Sequence, residues 1–147
     1  MDAEGAFEKI VTGIHVITVK AGDKVNGMAA AWVTRVSHSP PLVMVSVAHT
    51  RFTHNLIQQA GSFCVNILAE GQDDLVTRFG FKTGKSTDKF DGLPYGTGET
   101  GSPILDGTAG YLDCKLISSH EAGDHTIFVG EVVDAKAYDK NPMSHGG

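Results

Sequence analysis

Covalent staples, chain breakers and cationic clusters are all scarce in this sequence. Its 147 residues include two cysteines, five prolines and one tryptophan. Cys64 in SFCVNIL and Cys114 in YLDCKLI lie inside apolar runs with no C-x-x-C spacing. That pattern favours buried thiols in a reducing compartment over a disulfide between the two. No apolar run approaches the roughly 20 residues of a spanning helix, and the opening MDAEGAFEKI is acidic where a secretion signal would be basic. The expectation is a cytoplasmic chain without a membrane partner. Positive charge is also in deficit: 12 Lys and Arg against 17 Asp and Glu leave a formal charge of −5. Without a basic stripe, a nucleic-acid groove is excluded, and small molecules or proteins remain as partners.

At 41% hydrophobic and 20% charged residues, the chain has enough apolar material for one core, so residues 1–147 read as a single domain. A short helix is expected over residues 2–11, with Phe7, Ile10 and Val11 on one side. A β-branched run from Ile14 to Val19 then leads to a turn at Gly22 and Asp23 and a returning strand over 27–36. Tandem Pro40 and Pro41 end that strand, and the apolar run 42–48 reads as a buried one. RFTHNLIQQAG has helical spacing, with Thr50 as its cap and Gly61 at its stop. A strand over 62–68 precedes a helix over 72–81 and a long glycine-rich connection over 82–107. The runs 109–120 and 125–138 form a hairpin whose tip, EAGD, offers Gly123 for a positive φ. Six strands and three short helices without alternation argue against a doubly wound sheet and for an antiparallel barrel, nearly or fully closed.

Gly96, Gly98 and Gly101 in GTGETG satisfy G-x-G-x-x-G. The dinucleotide-binding version needs a strand before the motif and a helix after it, whereas here Pro103 stands where the helix would begin, so a loop is expected. The seven histidines do not fall at metal-ligand spacing: His49 and His54 are five apart, and His120 and His125 flank a hairpin tip. No G-x-S-x-G elbow supports hydrolysis. In NGMAAAWVTRVSHSPP, three consecutive alanines on a strand would let a flat ring lie against backbone N–H and C=O groups, although close packing explains them equally. In AHTRFT, Thr50, Arg51 and Thr53 at a helix start suit either a phosphate monoester or simple capping.

The segments NGMAAAWVTRVSHSPPLVMVSVAHTRFTHNLIQQAGSFCVNIL, RFGFKTGKSTDKF and GSPILDGTAGYLDCKLISSHEAGDHTIFVGEV resemble, in order and over nearly the whole chain, the flavin reductase-like family. The resemblance implies a mainly β fold, a six-stranded Greek-key split β-barrel with a few short helices. It also implies a homodimer binding FMN, or FAD, near the subunit interface, with NADH or NADPH as hydride donor. By position, Gly27, Met28, Ala29, Ala30, Ala31, Trp32 and Val33 match the flavin-contacting strand, and Val47, Ala48, His49, Arg51, Thr53 and His54 match the phosphate-side turn. Arg78 and Phe79 match a further contact, while Asp124 and His125 of the G-D-H-T stretch match the nicotinamide side. Related monooxygenase reductases carry a Ser or Thr where Ala29, Ala30 and Ala31 stand, so a hydroxyl toward the flavin is missing here. The acceptor implied is a monooxygenase or redox protein. The alternatives are an FMN-containing electron carrier with little direct NAD(P)H activity, and a pyridoxamine-phosphate oxidase-like or heme-handling barrel, distinguishable by its chromophore.

Overall fold

The computed structural model describes residues 1–80 and 88–146. In chain order its elements are α1 (Ala3–Phe7), β1 (Thr12–Gly13), β2 (His15–Ala21), β3 (Lys24–Ala30), β4 (Val33–Ser37), β5 (Leu42–Ala48), α2 (Phe52–Ala60), β6 (Ser62–Ile67), α3 (Asp73–Gly80), β7 (Tyr95–Thr97), β8 (Pro103–Leu105), β9 (Gly110–Ala122), β10 (His125–Ala137) and β11 (Ser144–His145). The end of the helix expected over 72–81 and the start of the connection expected over 82–107 fall outside the described residues.

Seven strands form one antiparallel sheet in the order β3-β2-β6-β9-β10-β5-β4. The expected six-stranded barrel needs correction in two respects. The single strand expected over 27–36 is two strands, and the sheet does not close by a hydrogen-bonded ladder, because β3 and β4 are its two edges. The physical reason lies at Ala31 and Trp32. Up to Ala30 the chain pairs with β2, where Ala30 faces His15, and from Val33 it pairs with β5, where Val33 faces Val45. Two residues of chain therefore join the opposite edges of the sheet.

Alternation along the strands sets the core. Val43, Val45 and Val47 of β5 point inward and pack with Ile17, Val19, Phe63, Val65, Phe128 and the α2 residues Leu56 and Ile57. Strand β2 is buried on both faces, since Val16 belongs to a second cluster with Leu75 and Phe79 of α3, Phe90, Leu105 and Met143. Cys64 and Cys114 are buried and free. Because Cys114 is in register with Phe63, and Cys64 with Asp113, the two thiols face opposite sides of the sheet.

Gly22 (φ 64°) and Gly123 (φ 62°) form the hairpin turns expected of them. At the first helix the expectation fails. It ends at Phe7, and Phe7, Ile10 and Val11 are exposed. Thr50 does not cap α2 either: Arg51 occupies the cap position without a side-chain cap bond, and Gly61, at φ 67°, closes the other end. GTGETG is not followed by a helix: its first two residues, Gly96 and Thr97, end β7 and the rest forms the turn into β8, a small hairpin. Among the described residues no helix is long and apolar enough to cross a membrane.

Candidate functional site

Where the chain crosses between the sheet edges, it leaves a cavity of about 170 Å³. Among the described residues, Met28, Ala29, Ala30, Ala31 and Trp32 line one side, Ser46, Ala48 and Arg51 another, and His125 the third. Sequence logic explains each contribution. On β5 the inward valines leave Ser46 and Ala48 on the opposite face, toward the cavity. His125 opens β10 directly opposite Ala48, so the hairpin tip delivers it to the same place. The end of β3 is fastened by the buried His15, whose Nδ1 lies 3.0 Å from the Ala30 carbonyl oxygen; burial lowers the His15 pKa.

The crossing has a particular hydrogen-bonding pattern. The Trp32 carbonyl accepts from Ser46 N–H at 3.0 Å, and Val33 N–H is committed to the Ala31 carbonyl at 3.0 Å. The N–H groups of Ala31 and Trp32 donate to no group among the described residues. Unpaired amides on a rigid strand end, beside small side chains, are suited to the polar edge of a flat ring.

A locus of positive charge lies at one end. Arg51 Nη2 donates to the Phe79 carbonyl at 3.3 Å, and Lys89 Nζ donates to the same oxygen at 3.4 Å and to the Gly27 carbonyl at 2.8 Å. Lys89 is only 3% exposed. Burial first, and then the Arg51 charge, push its pKa down to about 8. Arg51 is lowered by burial as well. Two cations on one carbonyl, with no carboxylate bridging them among the described residues, form an uncompensated site whose natural complement is a phosphate.

The other residues that the sequence singled out sit elsewhere. Gly27 passes beneath Phe79, whose ring is 3.0 Å from where a Cβ would stand, so glycine lets α3 approach β3. Val47 and Phe79 are core residues with no exposure. Thr53, 1% exposed, accepts from Asn26 Nδ2 at 3.0 Å, and His54 Nε2 is held by Thr126 Oγ1 at 2.7 Å. Both side chains thus turn into the protein. Arg78 Nη1 donates to the carbonyls of Lys89 and Asp91, at 3.1 and 3.0 Å, and so holds the chain that carries Lys89. His49 pairs with Glu121 at 2.8 Å.

Asp124, exposed, lies 2.7 Å from His125 Nδ1, and that bond holds its carboxyl below the usual range. The His125 ring lies against Trp32, with centroids 4.7 Å apart and planes tilted by 36°. Sequence reasoning missed Ser46 and Lys89. The latter lay in plain view in the D-K-F segment, but nothing in its spacing signals burial. Among the described residues no group of three or more His, Cys, Asp or Glu is arranged to hold a metal ion.

Comparison with known proteins identifies the family. The flavin reductase like domain matches residues 7–145. The chain is 39% identical over 132 residues to the high molecular weight rubredoxin of Moorella thermoacetica, covering 88% of this chain and 58% of that protein. It is 41% identical over 122 residues to a flavin reductase of Pseudomonas putida, covering 82% of this chain and 70% of that one. Among solved structures, the Streptomyces globisporus C-1027 NADH:FAD oxidoreductase SgcE6 superposes with a TM-score of 0.91 at 33% identity, covering 97% of this chain and 86% of that one. The chain belongs to the flavin reductase-like family.

Proposed function

We propose that the chain is an NAD(P)H-dependent flavin reductase that holds FMN, or FAD, in the cavity at the strand crossing. The observation that carries this reading is the convergence of free Ala31 and Trp32 amides, an alanine-lined floor and the Arg51–Lys89 locus on one cavity that His125 borders. When bound, a flavin supplies the hydride-accepting ring, and the protein's task is placement and electrostatics. Ala29, Ala30 and Ala31 keep the floor low. The free amides hydrogen-bond the polar edge of the ring and stabilise negative charge there. Arg51 holds the phosphate, with Lys89 adding its field from behind.

His125, lying against Trp32 and oriented through Asp124, forms the wall against which a nicotinamide packs. It acts by position, because hydride transfer requires no proton from the protein at that step. The exposed Trp32 and a mainly apolar groove of about 430 Å³, whose lining includes Val33, Ile67 and Leu112 together with His15, Thr34 and Arg35, support a homodimer, which sedimentation would test. Buried free thiols fit a cytoplasmic setting.

The test is the visible spectrum of the purified protein with FMN, followed by anaerobic addition of NADH and then NADPH. Rapid bleaching by either supports the reductase and identifies its donor. One observation favours a second reading: the 39% identity to a high molecular weight rubredoxin suits an electron carrier passing electrons to a redox protein. Flavin bands that neither nucleotide bleaches would favour the carrier, and a protein that binds no flavin would remove both readings.

A further inference from the structure

The β9–β10 tip carries His125 to the cavity, yet it has little packing of its own, since Glu121, Ala122, Gly123 and Asp124 are all exposed. A polar chain starting at Glu121 ties it down. One carboxylate oxygen lies 2.8 Å from His49 Nε2, just past the end of β5. The other accepts from Thr126 Oγ1 of β10 at 3.2 Å. Thr126, 1% exposed, is bound in turn to His54 Nε2 of α2 at 2.7 Å. A hydroxyl has one proton, so donating it to Glu121 leaves the Thr126 oxygen to accept from His54 N–H, and both bonds run toward the carboxylate. The His49 and His54 rings meet edge to face at 5.4 Å, and the His49 backbone N–H donates to the Asp124 carbonyl at 3.1 Å. One carboxylate on β9, four residues before His125, thereby links the turn after β5, β10 and, through Thr126, α2. With its side chain 73% exposed, Glu121 contributes little to global stability, so its connections bear on where the tip sits.

We propose that Glu121 is a positioning residue: it holds the hairpin tip so that the His125 imidazole stays against the Trp32 indole at the cavity rim. That His125 meets a nicotinamide there rests on the flavin-reductase reading. The placement of His125 does not.

Trp32 is the only tryptophan, so the intrinsic fluorescence of the flavin-free full chain reports the Trp32–His125 contact without a cofactor. In E121A, His125 leaves the indole and the emission shifts to that of H125A. In the H125A background, E121A produces no further change. E121Q, which keeps one acceptor oxygen, falls between E121A and the parent chain. In turnover, E121A raises KM for the reduced nicotinamide about two- to fivefold while kcat and flavin affinity stay unchanged. Parental emission in E121A would overturn the proposal. So would an E121A shift that persists in H125A, or a flavin affinity that falls in step with the nicotinamide KM. If the parent chain fails to bind flavin or to be reduced, the functional reading fails, and the fluorescence cycle still decides the role of Glu121.

Discussion

Removing the charge of Lys89 probes the phosphate end of the site. Because Arg51 and Lys89 donate to the same carbonyl, their charges lie within about 7 Å, a repulsion of about 2 kcal/mol at an effective dielectric of about 20. Burial and this repulsion bring Lys89 from 10.5 down to about 8. A phosphate beside Arg51 reverses the balance, attracting both cations and restoring the proton on Lys89. The sign follows by linkage. Below pH 8 the amine is already charged and FMN binding takes up no proton there. Above pH 8 it must be protonated as FMN binds, so affinity falls by up to about tenfold per pH unit until the pKa of the bound state is passed.

The flavin-free fold behaves in the opposite sense, gaining stability as pH rises from 8 toward 10.5, because there the unfolded chain holds the extra proton. Riboflavin, which lacks the phosphate, should show no slope. Flavin-fluorescence titrations with FMN and riboflavin at pH 7, 8 and 9 measure the difference. K89M should weaken FMN by about 2 kcal/mol, roughly thirtyfold, spare riboflavin and flatten the pH dependence. An FMN-to-riboflavin affinity ratio that K89M leaves at its parental value would refute the electrostatic argument.

Other substitutions separate ligand contacts from packing. H125A should raise the nicotinamide KM more than it lowers kcat in steady-state assays, and an equal fall in kcat at constant KM would contradict a positioning wall. T53V strands the Asn26 amide, so it should cost about 1–3 kcal/mol in a denaturant melt and leave the FMN-to-riboflavin ratio alone. A drop in that ratio would return Thr53 to the phosphate. In G130A the new Cβ would stand 2.7 Å from both Cys114 Cβ and Phe63 Cζ, and overpacking there should cost about 1–3 kcal/mol, read as a lowered Tm.

Much of the fold was legible because burial writes a period into sequence. The 42–48 strand has the bounds read from its apolar run, and the glycine turns stand where a positive φ was needed. At α2 the spacing of Phe52, Asn55, Leu56 and Gln59 marked a helix but not its buried face, which is Thr53, His54, Leu56 and Ile57, while Asn55 and Gln59 are exposed. The burial of Lys89 was not legible, because a lysine enters a core only when distant carbonyls converge on it, here from residues 62 and 10 positions away.

The glycine motif was legible only as a loop. Its content is a buried carboxylate, since Asp113 accepts from Thr100 Oγ1 at 2.6 Å and from Thr100 N–H at 3.0 Å, and a Cβ on Gly98 would lie 2.7 Å from Asp134 Oδ2. The Thr100 amide and hydroxyl are thereby committed to the protein's own carboxylate.

The crossing at Ala31 and Trp32 shows why fold and site are inseparable in this chain. Pairing preference alone would continue one strand from 24 to 37, with every amide spent in a ladder. Dividing it between β2 and β5 leaves the edges of the sheet joined by two residues and two N–H groups without partners among the described residues. Such donors cost free energy unless solvent or a ligand reaches them. They are held in place nonetheless, because His15 secures Ala30 on one side and Ser46 secures Trp32 on the other. On the proposed function, the feature that prevents the sheet from closing by hydrogen bonds also supplies donors, unpaired among the described residues, that preorganise the alanine-lined cavity for a planar, polar-edged ring.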